Sequence, residues 1–261
     1  MTPRPTSGAE PTPVRVVLIS LDAHIAGAVD RARKALEAEI PGLELRFHAA
    51  TGFSEPKAAE AARADIAEGH IIFANMLFIE EHIQAVLPAL QARREHCDAM
   101  VCAMSAAEVT KLTRMGKFDM SAPASGFVSL LKRLRGKAKE TADAKVDSGQ
   151  KTTAGAQQMK MLRRVPQILR FIPGPAQDVR AYFLTLQYWL GGSEENMANM
   201  VRYLVDRYAD GPRRHLRGTL KAAPPGNYPE VGVYHPRLKG RIAEKVEAVS
   251  LVDLCEELSA A

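Results

Sequence analysis

The sequence predicts an α/β fold: a Rossmann-like or flavodoxin-like parallel sheet with flanking helices, followed by a helical hairpin extension. Two observations carry this. β-Branched apolar runs and helix-period segments alternate four times over about a hundred residues, and parallel strands need such crossovers. Residues 176–208 then hold two apolar-periodic runs separated by Gly191-Gly192, the pattern of a helical hairpin.

The elements follow in order. "VRVVLISLD" (14–22) is a continuous apolar run and reads as a buried central strand. Ile25, Val29, Ala32, Leu36 and Ile40 recur at helical spacing, and Pro41-Gly42 stops that helix. "LELRFHAAT" (43–51) alternates as a strand with one wetter face. Ser54, Glu55 and Pro56 form a helix start with Ser54 as its cap, and Gly69 ends the helix. "HIIFANMLF" (70–78) is the third strand. Glu80 and Glu81 open a helix in which Pro88 marks a kink or the true start. "DAMVCAMS" (98–105) is the fourth strand, and "AAEVTKLTRMG" the helix after it.

The character then changes. "SGFVSLLKRLRG" (125–136) reads as a short basic helix, and 137–156 is too poor in aliphatic residues to order itself. In the hairpin, Val179, Tyr182, Phe183, Leu186 and Leu190 share one face, with Trp189 off it and turned towards the sheet domain. Ser193 caps the second helix, whose stripe is Met197, Met200, Val201, Leu204, Val205 and Tyr208. Packed core is the leading reading of this aromatic and methionine pattern, and a porphyrin or partner groove the other. The domains are accordingly a disordered N-terminus (1–13), an α/β domain (14–135), a flexible loop (136–157), a helical extension (158–210) and a C-terminal linker with the start of another domain (211–261).

Composition excludes several classes. A net charge of +5 is too mild to argue for nucleic acid. No apolar run reaches the roughly 18 residues that span a bilayer, and "MTPRPTSGAEPTP" lacks the apolar centre of a signal peptide. Three cysteines, Cys97, Cys102 and Cys255, with no CxxC pair suit free thiols in a reducing compartment, so a cytoplasmic location is expected.

Motifs are mostly missing. GxGxxG does not follow the first strand, and GxxxxGK[ST], HExxH and GxSxG are absent. Glu80, Glu81 and His82 are adjacent on a helix, point apart and cannot share one ion. Ligands of doubly wound folds sit beyond the carboxyl ends of the strands. The cleft candidates there are Asp22, His24, Thr51, Asn75 and Ser105. Asp22 with His24 would be an acid–base pair only if the loop brought them together. "KRLRGKAK" (132–139), with Lys132, Arg133 and Arg135, reads as a solvated loop edge or a docking site for an acidic partner.

Three segments bring a family into view: "DAMVCAMSAAEVTKLTRMGKFDMS" (98–121), "VPQILRFIPGPAQDVRAYFLTLQYWLGGSEENMANMVRYLV" (165–205) and "PEVGVYHP" (229–236). Together they resemble the N-terminal end of the large H subunit of magnesium chelatase, within the cobaltochelatase large-subunit superfamily. The resemblance runs from about residue 14 to about residue 245. It implies a part in ATP-dependent insertion of Mg²⁺ into protoporphyrin IX, in chlorophyll and bacteriochlorophyll synthesis. The partners it implies are the remainder of the H subunit and the I and D motor subunits, which hydrolyse ATP. Family subunits are far longer, so the chain is expected to be truncated, to bind no cofactor itself and to be inactive alone. No catalytic or metal residue is carried over. The segment from Val231 to Pro236 would be a strand with no sheet to complete. A free-standing flavodoxin-like module that binds a small ligand or docks a protein is the alternative, and a porphyrin carrier a third reading.

Composition makes 137–156 the most protease-sensitive internal segment. Mild trypsin is expected to cut there first and leave two fragments that stay associated. Earliest cuts mapped by mass spectrometry to 176–205 would contradict both that and the hairpin.

Overall fold

The computed structural model describes residues 12–122 and 165–226, with the backbone of 233–234 and 242–243. Residues 1–11 of the expected disordered N-terminus (1–13), the basic helix 125–136, the loop 137–156 and the basic candidates Lys132, Arg133 and Arg135 lie outside the described residues. Two compact units are present, Met1–Ala223 and Pro224–Ala261. The first takes in the predicted α/β and hairpin segments together.

Its sheet contains β1 (Val14–Ser20), β2 (Leu43–Ala49), β3 (Ile71–Asn75) and β4 (Ala99–Ala103), in the order β2-β1-β3-β4 and all parallel. This is the flavodoxin-like order. The helices between them are α1 (Ala26–Leu36), α2 (Pro56–Glu68) and α3 (Glu80–Arg93). Right-handed crossovers fix their faces. The step from β1 to β2 runs one way along the sheet, and the steps to β3 and β4 run the other. Hence α1 lies on one face, with Val29, Ala32 and Leu36 against Val16, Leu18, Ile71 and Phe73. On the opposite face, Ala62 and Ile66 of α2 and Ile83, Val86 and Leu90 of α3 meet Val17, Ile19, Ile72 and Met100.

Three local expectations are corrected here. Ser54 is not the cap of α2: the capping position is Glu55, without a side-chain bond, and Pro56 is the first helical residue. Pro88 does not mark a start, since α3 runs through it from Glu80. The helix expected over "AAEVTKLTRMG" is a single turn, α4 (Ala107–Thr110), followed by β5 (Arg114–Met115) and β6 (Phe118–Asp119). Buried Thr113 explains the break. Its Oγ1 donates to the Cys102 carbonyl at 2.8 Å and accepts from the Cys102 N–H at 3.0 Å. That holds the chain alongside β4, and Gly116 turns it back with φ of 55°. Two antiparallel strands thus extend the parallel sheet to six.

One helix cannot cover a face of four strands. The rest of the α1 face is covered by α5 (Ala176–Gly191) and α6 (Glu194–Tyr208). Gly192, with φ of 61°, ends α5, and the Ser193 hydroxyl accepts the Asn196 N–H to cap α6. The predicted α6 stripe is buried throughout. Trp189 stacks on Phe73 of β3 with ring centroids 4.8 Å apart, and Tyr182 meets Phe118 edge-on at 5.7 Å. Ion pairs Arg31–Glu194 and Arg202–Glu39 tie α6 alongside α1. The α5 stripe is wider than its sequence period suggests. Ala181, Leu184, Thr185 and Tyr188 are buried too, whereas Phe183 is half-buried and Leu190 is 42% exposed. A helix held between a sheet and a second helix buries more than one stripe.

Asp178, in the first turn of α5, joins three elements. Its carboxylate accepts from the Lys117 backbone N–H at 3.0 Å, from Arg207 at 3.1 Å and from the Tyr208 hydroxyl at 3.0 Å. Burial pushes the Tyr208 phenol up, so it remains a donor. A Cβ on Gly116 would lie 2.7 Å from the Asp178 carboxylate, so that turn needs glycine for space as well as for φ.

The chain leaves α6 through a 3-10 turn, Gly211–Leu216, strapped to the amino edge of the sheet. Arg213 makes a two-pronged bond to Asp98 at 3.0 and 3.1 Å. Beside it His70 accepts the Arg15 backbone N–H on Nδ1 at 2.9 Å, the bond of a neutral ring. Burial, and then the Arg213 charge, hold the His70 imidazole below its ordinary range. In the second unit, β7 (Val233–Tyr234) pairs antiparallel with β8 (Ile242–Ala243). The strand expected to be an orphan therefore has a partner.

Two outcomes follow from this packing. Leu204→Ala is expected to cost about 2–5 kcal/mol, as for a fully buried leucine, and Phe183→Ala clearly less. Urea melts followed by Trp189 fluorescence check the order, and equal losses would contradict it. For His70, the native ring takes a proton less readily than the unfolded chain, whose value is about 6.5. Its contribution is full above that pH and is lost as pH falls below it towards the depressed native value. The drop in urea midpoint between pH 7.5 and 5.5 should be smaller in His70→Asn than in the parent. An equal drop would assign the acid sensitivity elsewhere.

Candidate functional site

Strand register sets one row of residues across the carboxyl edge of the sheet. Ser20 is aligned with Ala49 on one side and Asn75 on the other, and Asn75 with Ala103. The order β2-β1-β3 puts the topological switch point between Ser20 and Asn75. Asp22, Thr51 and Ser105 each lie two residues past a member of this row, so the predicted candidates share one end of the sheet.

Their roles there differ. The Asp22 carboxylate accepts the His24 backbone N–H at 2.9 Å and caps the 3-10 turn Ala23–Ile25. This is the contact between the pair, and the His24 ring is exposed. Thr51 is exposed in the 3-10 turn Ala50–Gly52. Ser105 knits two loops together: its hydroxyl accepts the Leu77 N–H at 3.0 Å and donates to the Ala103 carbonyl at 2.9 Å. Backbone bonds from Met76 to Ala103 and from Ala106 to Leu77 complete that seam.

Asn75 stands apart. It is 0% exposed, and neither its amide nitrogen nor its amide oxygen has a hydrogen-bond partner. Buried amides are almost always paired, because desolvating one without compensation costs about 1–3 kcal/mol. Residues on one strand alternate in direction, so Asn75 faces the same side as Phe73 and Ser20, towards the layer of α1, α5 and α6. Immediately after the row, Met76 and Met104 adopt left-handed φ of 58° and 44°, which non-glycine residues rarely occupy. Beyond them Phe78, Ile79 and Met104 are 53%, 40% and 41% exposed.

The sequence points to Asn75 and Ser105 but not to Ser20, the two left-handed methionines or the apolar rim. A signal for the rim exists in "HIIFANMLF": its apolar run continues past Asn75, where the strand ends. The backbone angles of Met76 and Met104 leave no mark on the sequence.

The chemistry available at this edge is limited. Cys97, at the amino end of β4, and Cys102, on its other face, stand apart from this edge, and burial pushes both thiols up, which removes them as thiolates near neutral pH. Glu80 is exposed and bonded to Gln84, while His82 lies edge-on to Phe53 at 6.3 Å. Among the described residues no three His, Cys, Asp or Glu side chains gather as a metal site. No described helix is long and apolar enough to cross a membrane.

Comparison with known proteins gives a consistent picture. Residues 15–183 match the family described as domain of unknown function DUF3479, and residues 186–256 match CobN/magnesium chelatase. The second match reaches past residue 245, where the resemblance was expected to end. The two regions meet inside α5. The magnesium-chelatase H subunit of Cereibacter sphaeroides is 48% identical over 238 residues, covering 90% of this chain and 19% of the relative. Its namesake from Rhodobacter capsulatus is 47% identical over 243 residues, with the same shares. The chloroplastic magnesium-chelatase ChlH subunit of Oryza sativa subsp. indica is 29% identical over 231 residues, covering 85% of the chain and 15% of the relative. The chain thus spans less than a fifth of the length of these relatives.

Proposed function

Because the chain belongs to the DUF3479 family and is a relative of the magnesium-chelatase H subunits, we propose that it acts as the N-terminal domain of such a subunit. In this reading it supports the ATP-dependent insertion of Mg²⁺ into protoporphyrin IX that leads to chlorophyll and bacteriochlorophyll. The observation that carries the proposal is identity of nearly one residue in two over nine-tenths of the chain.

The physical division of labour follows from the cargo. Mg²⁺ is hard and dehydrates reluctantly. Stripping its waters while two pyrrole protons leave the macrocycle takes coupled work. In this reading ATP hydrolysis belongs to the I and D motor subunits, and the absence of a phosphate-binding GxxxxGK[ST] loop in this chain accords with that. Metal insertion falls to the remainder of the H subunit. The chain contributes a scaffold and a docking surface, binds no cofactor itself and is inactive alone.

Two assays test this. The chain mixed with I and D subunits, ATP, Mg²⁺ and protoporphyrin IX is expected to yield no Mg-protoporphyrin above a no-protein control. Deleting the matching segment from the Cereibacter sphaeroides H subunit should abolish product, and placing this chain there should restore it. Product from the isolated chain, or a folded chimera that stays inactive, would overturn the proposal.

A further inference from the structure

We infer that β2, at the lateral border of the sheet, pairs antiparallel with β2 of a second copy of this chain about a two-fold axis at Leu45, joining the two sheets into one. This does not depend on the proposed role in metal insertion. The border is open. β2 is the end strand of the six and has seven residues, whereas β6 at the other end has two. A long end strand presents a row of unmet backbone groups, a template for another strand. One bond tells which groups these are. The Val14 N–H donates to the Gly42 carbonyl at 2.9 Å, so the even-numbered residues of β2 turn their backbone groups towards β1. Those of Leu43, Leu45 and Phe47 point outwards. Among the described residues, only the Leu43 N–H of this outward set has a partner, the Ile40 carbonyl.

Self-pairing about Leu45 uses these groups reciprocally. Each Leu45 N–H meets the Leu45 carbonyl of the other copy, and each Phe47 N–H meets the Leu43 carbonyl. Glu44 of each copy then stands directly opposite Arg46 of the other. These two lie between the bonded pairs, where opposed residues come closest, with Cα atoms about 4.5 Å apart. Opposite charges so placed attract, and like charges repel. Both side chains can respond. Arg46 is 53% exposed, and its contact with Glu44 of its own chain is long, at 3.4 Å. Arg15 and Arg46 both reach Glu44 through Oε2, which leaves Oε1, among the described residues, for Arg46 of the second copy. On the opposite face, the partly buried Leu43 and Phe47 come side by side across the axis. Of the three outward residues, only Leu45 as centre matches both charges, so charge complementarity selects the second copy and the register together.

Sedimentation equilibrium of the chain, from micromolar to millimolar concentration, is expected to show a reversible dimer. Residue-resolved hydrogen exchange should show the Leu45 and Phe47 amides slowing as concentration rises, with those of Glu44 and Arg46, already bonded to β1, unchanged. Arg46→Glu sets carboxylates opposite each other and should weaken association at least about tenfold at an unchanged urea midpoint. Glu44→Lys should do the same. An equimolar mixture of the two variants should associate again, since each supplies the charge that the other lacks. If Glu44→Lys loses its fold along with the Arg15 pair, the Arg46→Glu result decides alone. A chain that stays monomeric to millimolar concentration would overturn the inference, as would a dimer indifferent to Arg46→Glu or a mixture of folded variants that does not associate. Protection that grows with concentration only at other amides would assign the contact to another surface and overturn it too.

Discussion

A parallel sheet must be buried on both faces, and the strand order here leaves one face short of helices. The β1-to-β2 crossover runs opposite to the next two, so α2 and α3 share one side and α1 stands alone on the other. The hairpin of α5 and α6 therefore completes the sandwich. The Trp189–Phe73 stack, the pairing of α6 with α1 and the Asp178 junction all serve that closure. Asp178 matters most at the corner. It fixes the start of α5, the end of α6 and the turn between β5 and β6 with one carboxylate. Removing it would leave the buried Tyr208 hydroxyl and the partly buried Arg207 without this acceptor.

Much of this is legible in the sequence because the signals are local. Apolar runs with β-branched residues locate all four parallel strands, and Ser193 announces the start of α6 through its capping bond. The failures are tertiary. "AAEVTKLTRMG" has a helical period, yet one buried threonine bonded to both backbone groups of Cys102 overrides it. The single apolar stripe of α5 suits a helix with one covered side, and α5 has two. The role of the hairpin is hidden for the same reason: which face lacks helices depends on strand order, and strand order has no signature in one sequence.

The candidate site is legible in place and not in character. Residues just past strand ends must gather at one edge of a parallel sheet, so Asp22, Thr51, Asn75 and Ser105 share it by register. What each does there depends on a single contact. Asp22 caps a turn through a backbone N–H, and Ser105 ties two loops. The orphaned amide of Asn75 is a fact about what its neighbours fail to supply, and no residue type encodes that. The two edges of the sheet also contrast. The amino edge is closed by paired charges, Arg213 with Asp98 and Arg15 with Glu44, whereas the carboxyl edge ends in open apolar side chains.

The late arrival of α5 has a consequence during synthesis. The last parallel strand is complete at Ala103, but the helical hairpin that completes the cover of its second face begins at Ala176. A ribosome adding about 5–20 residues per second needs roughly 4–15 s to cross that interval. Throughout it, the apolar side chains of β3 and β4 on that face are without their final cover. Nascent chains of this kind are natural clients for holding chaperones, and slow codons within the interval would lengthen the exposure.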